Sequence, residues 1–301
     1  MTSLLLKGLK YLTSPSYRFQ VNACKGAYRN LSDEMFLKRM FKAKMGYELN
    51  LSNPQTFNEK LQWLKLYGYK DVYSQMADKY LAKEIVRNII GDDYIVPCIG
   101  FWENPEEIDF SNLPQKFVLK CNHNSGLGRC ICKNKDLVNE NEIKRGLNEG
   151  LKQNYFLHLR ETPYRDIKRG IVAEKFLDDN TGEELRDYKF LCFSGKPMYM
   201  YCTNKGKKIY ENYYDMDFNP VNISHGYTRI QPEIQKPQEF ELMKDLAARL
   251  SQGIPFVRID FFDVDHHVYF AEFTFYDWAG FKPLMGNWDL ELGKLIDLRI
   301  K

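Results

Sequence analysis

Lys116-Phe-Val-Leu-Lys-Cys-Asn-His-Asn-Ser-Gly-Leu-Gly-Arg129 carries a β-branched and aromatic run straight into a small polar loop, and Cys130-Ile-Cys-Lys133 returns from it. This reads as a hairpin whose turn is the glycine-containing loop. Gly126 and Gly128 lack a Cβ, so backbone N–H groups in such a turn can approach phosphate oxygens, and Lys120 stands at the strand end before it. The G-x-x-x-x-G-K-[ST] spacing of a Walker loop is absent, and an ordinary hairpin turn accounts for the same residues.

Downstream, strand signals dominate: Gly170-Ile-Val-Ala-Glu-Lys-Phe-Leu177, Tyr188-Lys-Phe-Leu-Cys-Phe193 and Pro197-Met-Tyr-Met-Tyr-Cys202. After a helical stretch from Pro237 to Leu250 come Val257-Arg-Ile-Asp-Phe-Phe262 and Val268-Tyr-Phe-Ala-Glu-Phe273, separated by a turn at Asp263-Val-Asp265-His-His. If these two strands pair, alternation puts Arg258, Asp260, Glu272 and Thr274 on one face. Two carboxylates on a mostly hydrophobic hairpin are costly to bury unless something positive compensates them. A magnesium ion would do so, since it binds through one or two carboxylates plus substrate phosphates. An ion pair from Arg258 to Asp260 or Glu272 would do so equally. Glu174 taken alone is a strand-end charge, although a strand exit can offer a carboxylate to an exocyclic amine and backbone groups to a heterocycle edge.

Upstream, Ser32 to Tyr80 reads as helical with a break at Leu51-Ser-Asn-Pro54, and Thr56-Phe-Asn-Glu59 is a capping box opening a new helix. A helix through Asp78-Lys79 to Gly91, a short strand at Tyr94-Ile-Val-Pro97 and a helix from Glu140 to Leu159 complete an α/β or α+β pattern. The 301 residues are 44% hydrophobic and 28% charged, enough for a large core and unlike a disordered chain. Forty-three basic against forty acidic residues leave +3, far from the excess of a nucleic-acid coat, so no nucleic-acid partner is expected. Seven cysteines, odd in number and without C-x-x-C, suggest a reduced, cytoplasmic protein. Leu4-Leu5-Leu6 is interrupted by Lys7 and Lys10, too soon for a signal peptide or a membrane span; a helix packed on its own domain, or one touching a membrane surface, fits.

In chain order these pieces resemble the ATP-grasp superfamily, and most closely its TupA-like group of bacterial polysaccharide gene clusters. The hallmark-like segments are Asn53-Pro-Gln-Thr-Phe-Asn-Glu-Lys-Leu-Gln-Trp-Leu-Lys65, Leu113-Pro-Gln-Lys-Phe-Val-Leu-Lys-Cys-Asn-His-Asn-Ser-Gly126 and Phe270-Ala-Glu-Phe-Thr-Phe275. The resemblance implies an α+β ATP-grasp fold with ATP held between two antiparallel-sheet lobes. It divides the chain into a helical N-terminal extension (1–52), an N-terminal α/β lobe (53–112), a small lobe with the phosphate loop (113–177) and a large lobe with the metal site (178–301).

By the same resemblance, Lys79 and Lys120 would contact ATP phosphates, and Asn124, Ser125, Gly126, Leu127 and Gly128 would close over them. Glu174 would bind the adenine amino group, with Lys175, Phe176 and Leu177 completing the adenine hinge. Asp260 and Glu272 would hold Mg2+, with Thr274 in the third ligand position where the superfamily usually has Asn. Arg258 would face the γ-phosphate, Lys189 would be a further phosphate contact, and His123 would be a turn residue or touch phosphate or acceptor. The implied reaction joins a carboxylate-bearing sugar or amino acid to an amine through an acyl phosphate, in capsule or cell-surface polysaccharide assembly. Peripheral contact with membrane-associated polysaccharide machinery would suit that setting. Thr203-Asn-Lys-Gly-Lys-Lys208 and Tyr210 to Tyr214 are candidate acceptor contacts, or else a solvated hairpin with packed tyrosines. Two rival readings are a glycosyltransferase, from the D-x-D patterns Asp215-Met-Asp217 and Asp263-Val-Asp265, and a non-catalytic nucleotide-binding protein.

Overall fold

The computed structural model describes residues 2–179, 185–203, 209–231 and 233–299, with side chains from residue 7 onward. The expected acceptor residues Asn204, Lys205, Gly206, Lys207 and Lys208, and the side chains of Leu4, Leu5 and Leu6, lie outside the described residues.

Helices α1 (Thr2–Thr13), α2 (Pro15–Cys24), α3 (Asp33–Met45), α4 (Phe57–Tyr67), α5 (Val72–Ala77) and α6 (Ala82–Ile90) precede strand β1 (Cys98–Trp102). The Ser32 hydroxyl accepts from Met35 N to open α3, and Gly46 closes it at φ +87°. The capping box on α4 is present: Thr56 Oγ1 accepts from Glu59 N at 3.2 Å while Glu59 Oε2 accepts from Thr56 N at 3.1 Å.

Strands β2 (Phe117–Cys121) and β3 (Cys130–Cys132) form the expected antiparallel hairpin around the glycine loop. Helices α7 (Glu140–Lys152) and α8 (Phe156–Leu159) lead to β4 (Ile171–Lys175). These strands make a four-stranded antiparallel sheet in the order β1-β4-β2-β3. The rest of the chain supplies β5 (Asp187–Phe193), β6 (Lys196–Thr203), β7 (Glu211–Tyr214), β8 (Pro220–Val221), α9 (Phe240–Leu250), β9 (Phe256–Val264), β10 (His267–Thr274) and α10 (Trp288–Leu295). Its strands form a six-stranded antiparallel sheet in the order β10-β9-β5-β6-β7-β8.

Three sequence expectations are corrected. The helix expected through Asp78 and Lys79 begins only at Ala82, because Asp78 Oδ1 accepts from Tyr80 N (2.8 Å) and Leu81 N (3.2 Å) and caps instead of continuing. The strand expected at Tyr94–Pro97 is a 3-10 turn followed by a single parallel bridge, Ile95 to Phe270, and the strand starts at Cys98 because Pro97 has no N–H for a ladder. The helix expected over Glu140–Leu159 is interrupted between Lys152 and Phe156.

The main core joins α4, α6 and α9 to the six-stranded sheet through Phe57, Leu61, Val86, Phe240, Phe190 and Phe261. A second cluster packs α7 on the four-stranded sheet through Leu147, Phe117, Leu119 and Ile171. The third ties α3 to the segment after β10 through Phe36, Leu37, Phe41, Ala279 and Phe281. Burying one such side chain contributes roughly 1.5–3 kcal/mol. The two larger cores therefore stabilise two sheets whose faces meet over a cleft.

Candidate active site

A cavity of about 440 Å3 lies between the sheets. The four-stranded sheet contributes Val118 and Lys120 from β2, Ile131 from β3 and Glu174 and Lys175 from β4; the six-stranded sheet contributes Asp187, Asp260, Phe262, Ala271 and Glu272. Val118 pairs directly with Glu174, so Lys120, two residues on, sits diagonally across from the carboxylate on the same face. Lys120 Nζ is 2.6 Å from Glu174 Oε2, and Lys83 Nζ is 2.7 Å from Oε1. Burial alone would raise the Glu174 carboxyl, but Lys120 and then Lys83 overcome it and hold the group below the usual carboxylate range. Lys83, which also donates to Val96 O at 2.8 Å, was not legible in the sequence: only the docking of α6 against β4 brings it there.

The glycine loop is held from beneath. Asn122 is fully buried; its Nδ2 donates to Asp78 Oδ2 (2.8 Å) and Lys168 O (2.9 Å), and its Oδ1 accepts from Gly170 N (2.8 Å). The same Asp78 that stops the helix thus fixes the loop. Asn124 Nδ2 donates to Leu127 O (3.1 Å) and Gly150 O (3.3 Å), while Asn124 O accepts from Lys79 Nζ (2.5 Å). Gly126 and Gly128 adopt φ of +87° and +76°, and a Cβ on Gly128 would meet Gly146 O at 2.9 Å. Burial pushes the Lys79 ammonium down, opposed by Glu272 and other nearby carboxylates. His123 is buried inside the loop with Nε2 3.1 Å from Gln153 O, and burial lowers its pKa to about 4. It is therefore a neutral structural residue of the loop.

On the opposite wall the expected pairing is present: Glu272 faces Asp260 and Thr274 faces Arg258 across β9 and β10. Arg258 donates Nε to Asp260 Oδ1 (2.7 Å), Nη2 to Asp260 Oδ2 (2.7 Å), Nη2 to Glu272 Oε1 (3.0 Å) and Nη1 to Asp277 Oδ1 (2.7 Å). Lys189 Nζ adds a 2.7 Å contact to Asp260 Oδ2 and a 3.1 Å contact to Asp187. Burial would raise the Asp260 carboxyl, but Arg258 and Lys189 hold it below the usual range. Tyr201 Oη donates to Asp277 Oδ1 (2.7 Å), so Asp277 anchors both Arg258 and Tyr201. Asp277 was missed; a lone acid within Phe275-Tyr-Asp-Trp278 was the available signal. The segment carrying it is clamped by α4: the buried Lys65 donates to Ala279 O (2.8 Å) and Leu159 O (2.9 Å), and Gln62 Nε2 to Gly280 O (2.6 Å).

Lys79, Lys120, Asn124, Ser125, Gly126, Leu127, Glu174, Lys175, Phe176, Leu177, Asp260 and Glu272 all line the one cavity. Gly128, Lys189, Arg258 and Thr274 stand behind its wall: Gly128 packs on α7, Lys189 and Arg258 pair with Asp260, and Thr274 Oγ1 donates to Glu272 Oε1 at 3.2 Å. Two carboxylates here offer the hard oxygens that a divalent cation takes, with both oxygens of Asp260 held by Arg258 and Lys189. Glu272, with 41% of its side chain exposed, presents Oε2 without a hydrogen bond among the described residues, and Asp260 lies beside it on the cavity wall. Val96, Val118, Ile131 and Phe262 add the apolar lining that a flat heterocycle needs.

The alternative motifs stand elsewhere. Asp215 is consumed in its own turn, accepting from Asp217 N (2.9 Å) and Asn219 N (2.8 Å), and neither D-x-D pattern lines the cavity. Tyr213 and Tyr214 are each 1% exposed, packed tyrosines that no sugar reaches.

Among solved structures the chain is similar to a D-alanine-D-alanine ligase from Helicobacter pylori (14% identity, 80% of this chain and 69% of that one, TM-score 0.45) and one from Bacillus anthracis (14%, 94% and 88%, 0.45). A third likeness is to the ATP-grasp ligase PsnB with Mg and ADP (11%, 91% and 70%, 0.43). No curated protein matches. The model of the TupA-like ATPgrasp family matches residues 59–297, which takes in both sheets and every residue of the cavity wall, and the chain belongs to that family.

Proposed function

We propose that the protein is an ATP-dependent carboxylate-amine ligase that forms an amide through an acyl phosphate. The observation that carries this reading is the single cavity in which Lys79, Lys120 and the glycine loop face Asp260 and Glu272 across an apolar slot. It provides cations for phosphate oxygens and hard anions for a magnesium ion, which is how phosphoryl transfer sites are built.

In this reading the adenine lies in the slot at Lys175, Phe176 and Leu177. Glu174, with both oxygens engaged by lysines, orients Lys120 toward the phosphates. The substrate carboxylate attacks the γ-phosphorus, the bond to the β-bridging oxygen breaks and ADP leaves. The amine then attacks the acyl carbon, phosphate departs and the nitrogen gives up a proton, leaving the amide. Arg258, released in part from Asp260, neutralises charge on the transferred group, and Lys189 keeps Asp260 ionised. A magnesium ion held by Asp260 and Glu272, with the Thr274 hydroxyl supporting Glu272, would neutralise the phosphate oxygens. Closure of residues 124–128 excludes water from the acyl phosphate.

The acceptor is a sugar acid or amino acid of cell-surface polysaccharide assembly, as the family resemblance implies, and contact with membrane-associated machinery would bring substrate to the site. Consumption of ATP and seven unpaired cysteines support a cytoplasmic setting; among the described residues no helix is long and apolar enough to cross a membrane. The test is an ADP-release screen pairing sugar acids and amino acids with amines, followed by mass spectrometry of the condensed product. ADP that appears only when both a carboxylate and an amine are present supports the reading; ATP binding with no ADP under any pairing sinks it.

A further inference from the structure

Helix α1 stands apart from the rest of the packing: none of its described residues belongs to any of the three cores. It rests on α2, where Tyr11 Oη donates to Asn22 Oδ1 (2.9 Å), Arg18 Nη1 donates to Leu12 O (3.1 Å) and Lys10 Nζ lies 5.0 Å over the Tyr17 ring. In turn α2 is fastened to α3, with Gln20 Nε2 donating to Ala43 O at 2.6 Å and the Phe19 ring 5.9 Å from that of Phe36. Leu9 and Leu12, three positions apart and so on one face of α1, are 59% and 71% exposed. A helix of twelve residues is marginal in water by itself, and leucines left in solvent add nothing to it.

The charge of this part of the chain is as one-sided as its packing. Residues 1–32 carry five basic side chains and no acidic one. Residues 1–46, which take in α1, α2 and α3, carry nine basic and two acidic side chains; the remaining 255 residues carry thirty-four and thirty-eight. The near-neutral total of +3 therefore hides a segment at +7 on a body at −4. Both acids of the segment are already engaged, Asp33 by Arg160 and Arg165 and Glu34 by Lys38. Lys7, Lys10, Lys25, Arg29, Arg39 and Lys44 are exposed and have no ion pair among the described residues.

We propose that α1, braced by α2, is a peripheral anchor for a bilayer surface that carries anionic lipid. The helix lies in the headgroup layer, Leu9 and Leu12 enter the acyl boundary, and the lysines and arginines of the segment meet lipid phosphates. A bilayer supplies both chemistries at once, an apolar interior beside a layer of fixed negative charge. A second copy docked on the same face would set one +7 segment against another, and a nucleic acid offers phosphates but no apolar layer for the leucines. The surface lies outside the cavity and outside residues 59–297, the part that the family model matches. It therefore goes beyond the ligase reading and does not depend on it.

The test is co-sedimentation of the full chain with vesicles of phosphatidylcholine alone or of phosphatidylcholine and phosphatidylglycerol in equal parts. Wild type should partition onto the mixed vesicles at least about tenfold more strongly than onto phosphatidylcholine alone. Leu9→Gln combined with Leu12→Gln, and separately Lys7→Gln combined with Lys10→Gln, should each weaken that binding by about tenfold. Leu137→Gln changes a leucine that is 83% exposed on another surface and should bind like wild type. All the changed side chains are exposed, so each variant should melt with wild type, which shows that it is folded. Equal wild-type binding to both vesicles, or to neither, overturns the anchor, and so does binding that survives the paired leucine change. Self-association that the leucine change abolishes, with no vesicle binding, assigns the face to a second copy and overturns it too. ADP release is read separately: vesicle binding without ADP leaves the anchor standing and sinks only the ligase.

Discussion

Arg258 and Asp260, two residues apart on β9, are joined by a bidentate ion pair, Nε to Oδ1 and Nη2 to Oδ2 at 2.7 Å each. Both side chains are withdrawn from solvent, Asp260 at 1% and Arg258 at 11% exposure. Arg258→Ala would leave Asp260 and Asp277 short of their principal cation, at a cost of about 3–5 kcal/mol. A thermal melt should show that loss. Arg258→Lys keeps the charge but not the fork, so it should melt closer to wild type while ADP release falls by on the order of 10²–10³. An Arg258→Lys protein as active as wild type would remove Arg258 from the reaction.

Gly150 on α7 is where the phosphate-loop candidate rests. A Cβ there would stand 2.7 Å from both Leu127 O and Cys121 Sγ, neither of which can retreat without shifting the loop or β2. Gly150→Ala is expected to raise the Kd for an ATP analogue several-fold and to lower stability by roughly 1–3 kcal/mol. Gly146, whose added Cβ meets nothing within 4 Å, is the control: Gly146→Ala should be neutral or slightly stabilising in the same titration and melt.

Lys83 holds one oxygen of Glu174 and Lys120 the other. Lys83→Met should let Glu174 draw Lys120 away from the cleft, weakening the ATP analogue about tenfold by calorimetry. Lys83→Arg should recover most of it. Equal affinities in wild type and Lys83→Met would show that the pair does not position Lys120.

The pH dependence has two parts. His123 titrates near 4 when folded but near the ordinary histidine value when unfolded, so the unfolded chain binds more protons between those limits. Its contribution is whole above about pH 6.5 and is lost as pH falls toward 4. Melting temperatures of His123→Gln should therefore fall less steeply than wild type across that window. Glu174 and Asp260, both depressed, contribute stability above the ordinary carboxylate range that is lost as pH falls below it. That acid limb should persist in His123→Gln.

Much of the architecture is local and was legible in sequence. The hairpin of β2 and β3, the helix-starting Thr56 box and the common face of Arg258, Asp260, Glu272 and Thr274 follow from alternation, turn residues and capping, which act over a few positions. Element bounds departed from the sequence reading at Pro97, which has no N–H for a ladder, at Asp78, whose carboxylate caps the chain before the helix, and between Lys152 and Phe156, where one helical pattern is split in two.

What sequence alone determined was the set of residues with periodic faces: two hydrophobic strand systems, a glycine loop between them and charges spaced to share one side. Tertiary structure alone decided which of those charges meet. Lys83 reaches Glu174 across 91 positions and Lys189 reaches Asp260 across 71, while Asp277 and Tyr201 close around Arg258 from two further elements. Alternation assigns a side chain to a face, but the neighbour it finds there depends on strand order and helix docking. Those are set by how the two cores pack, a sum over the whole chain that no short stretch contains.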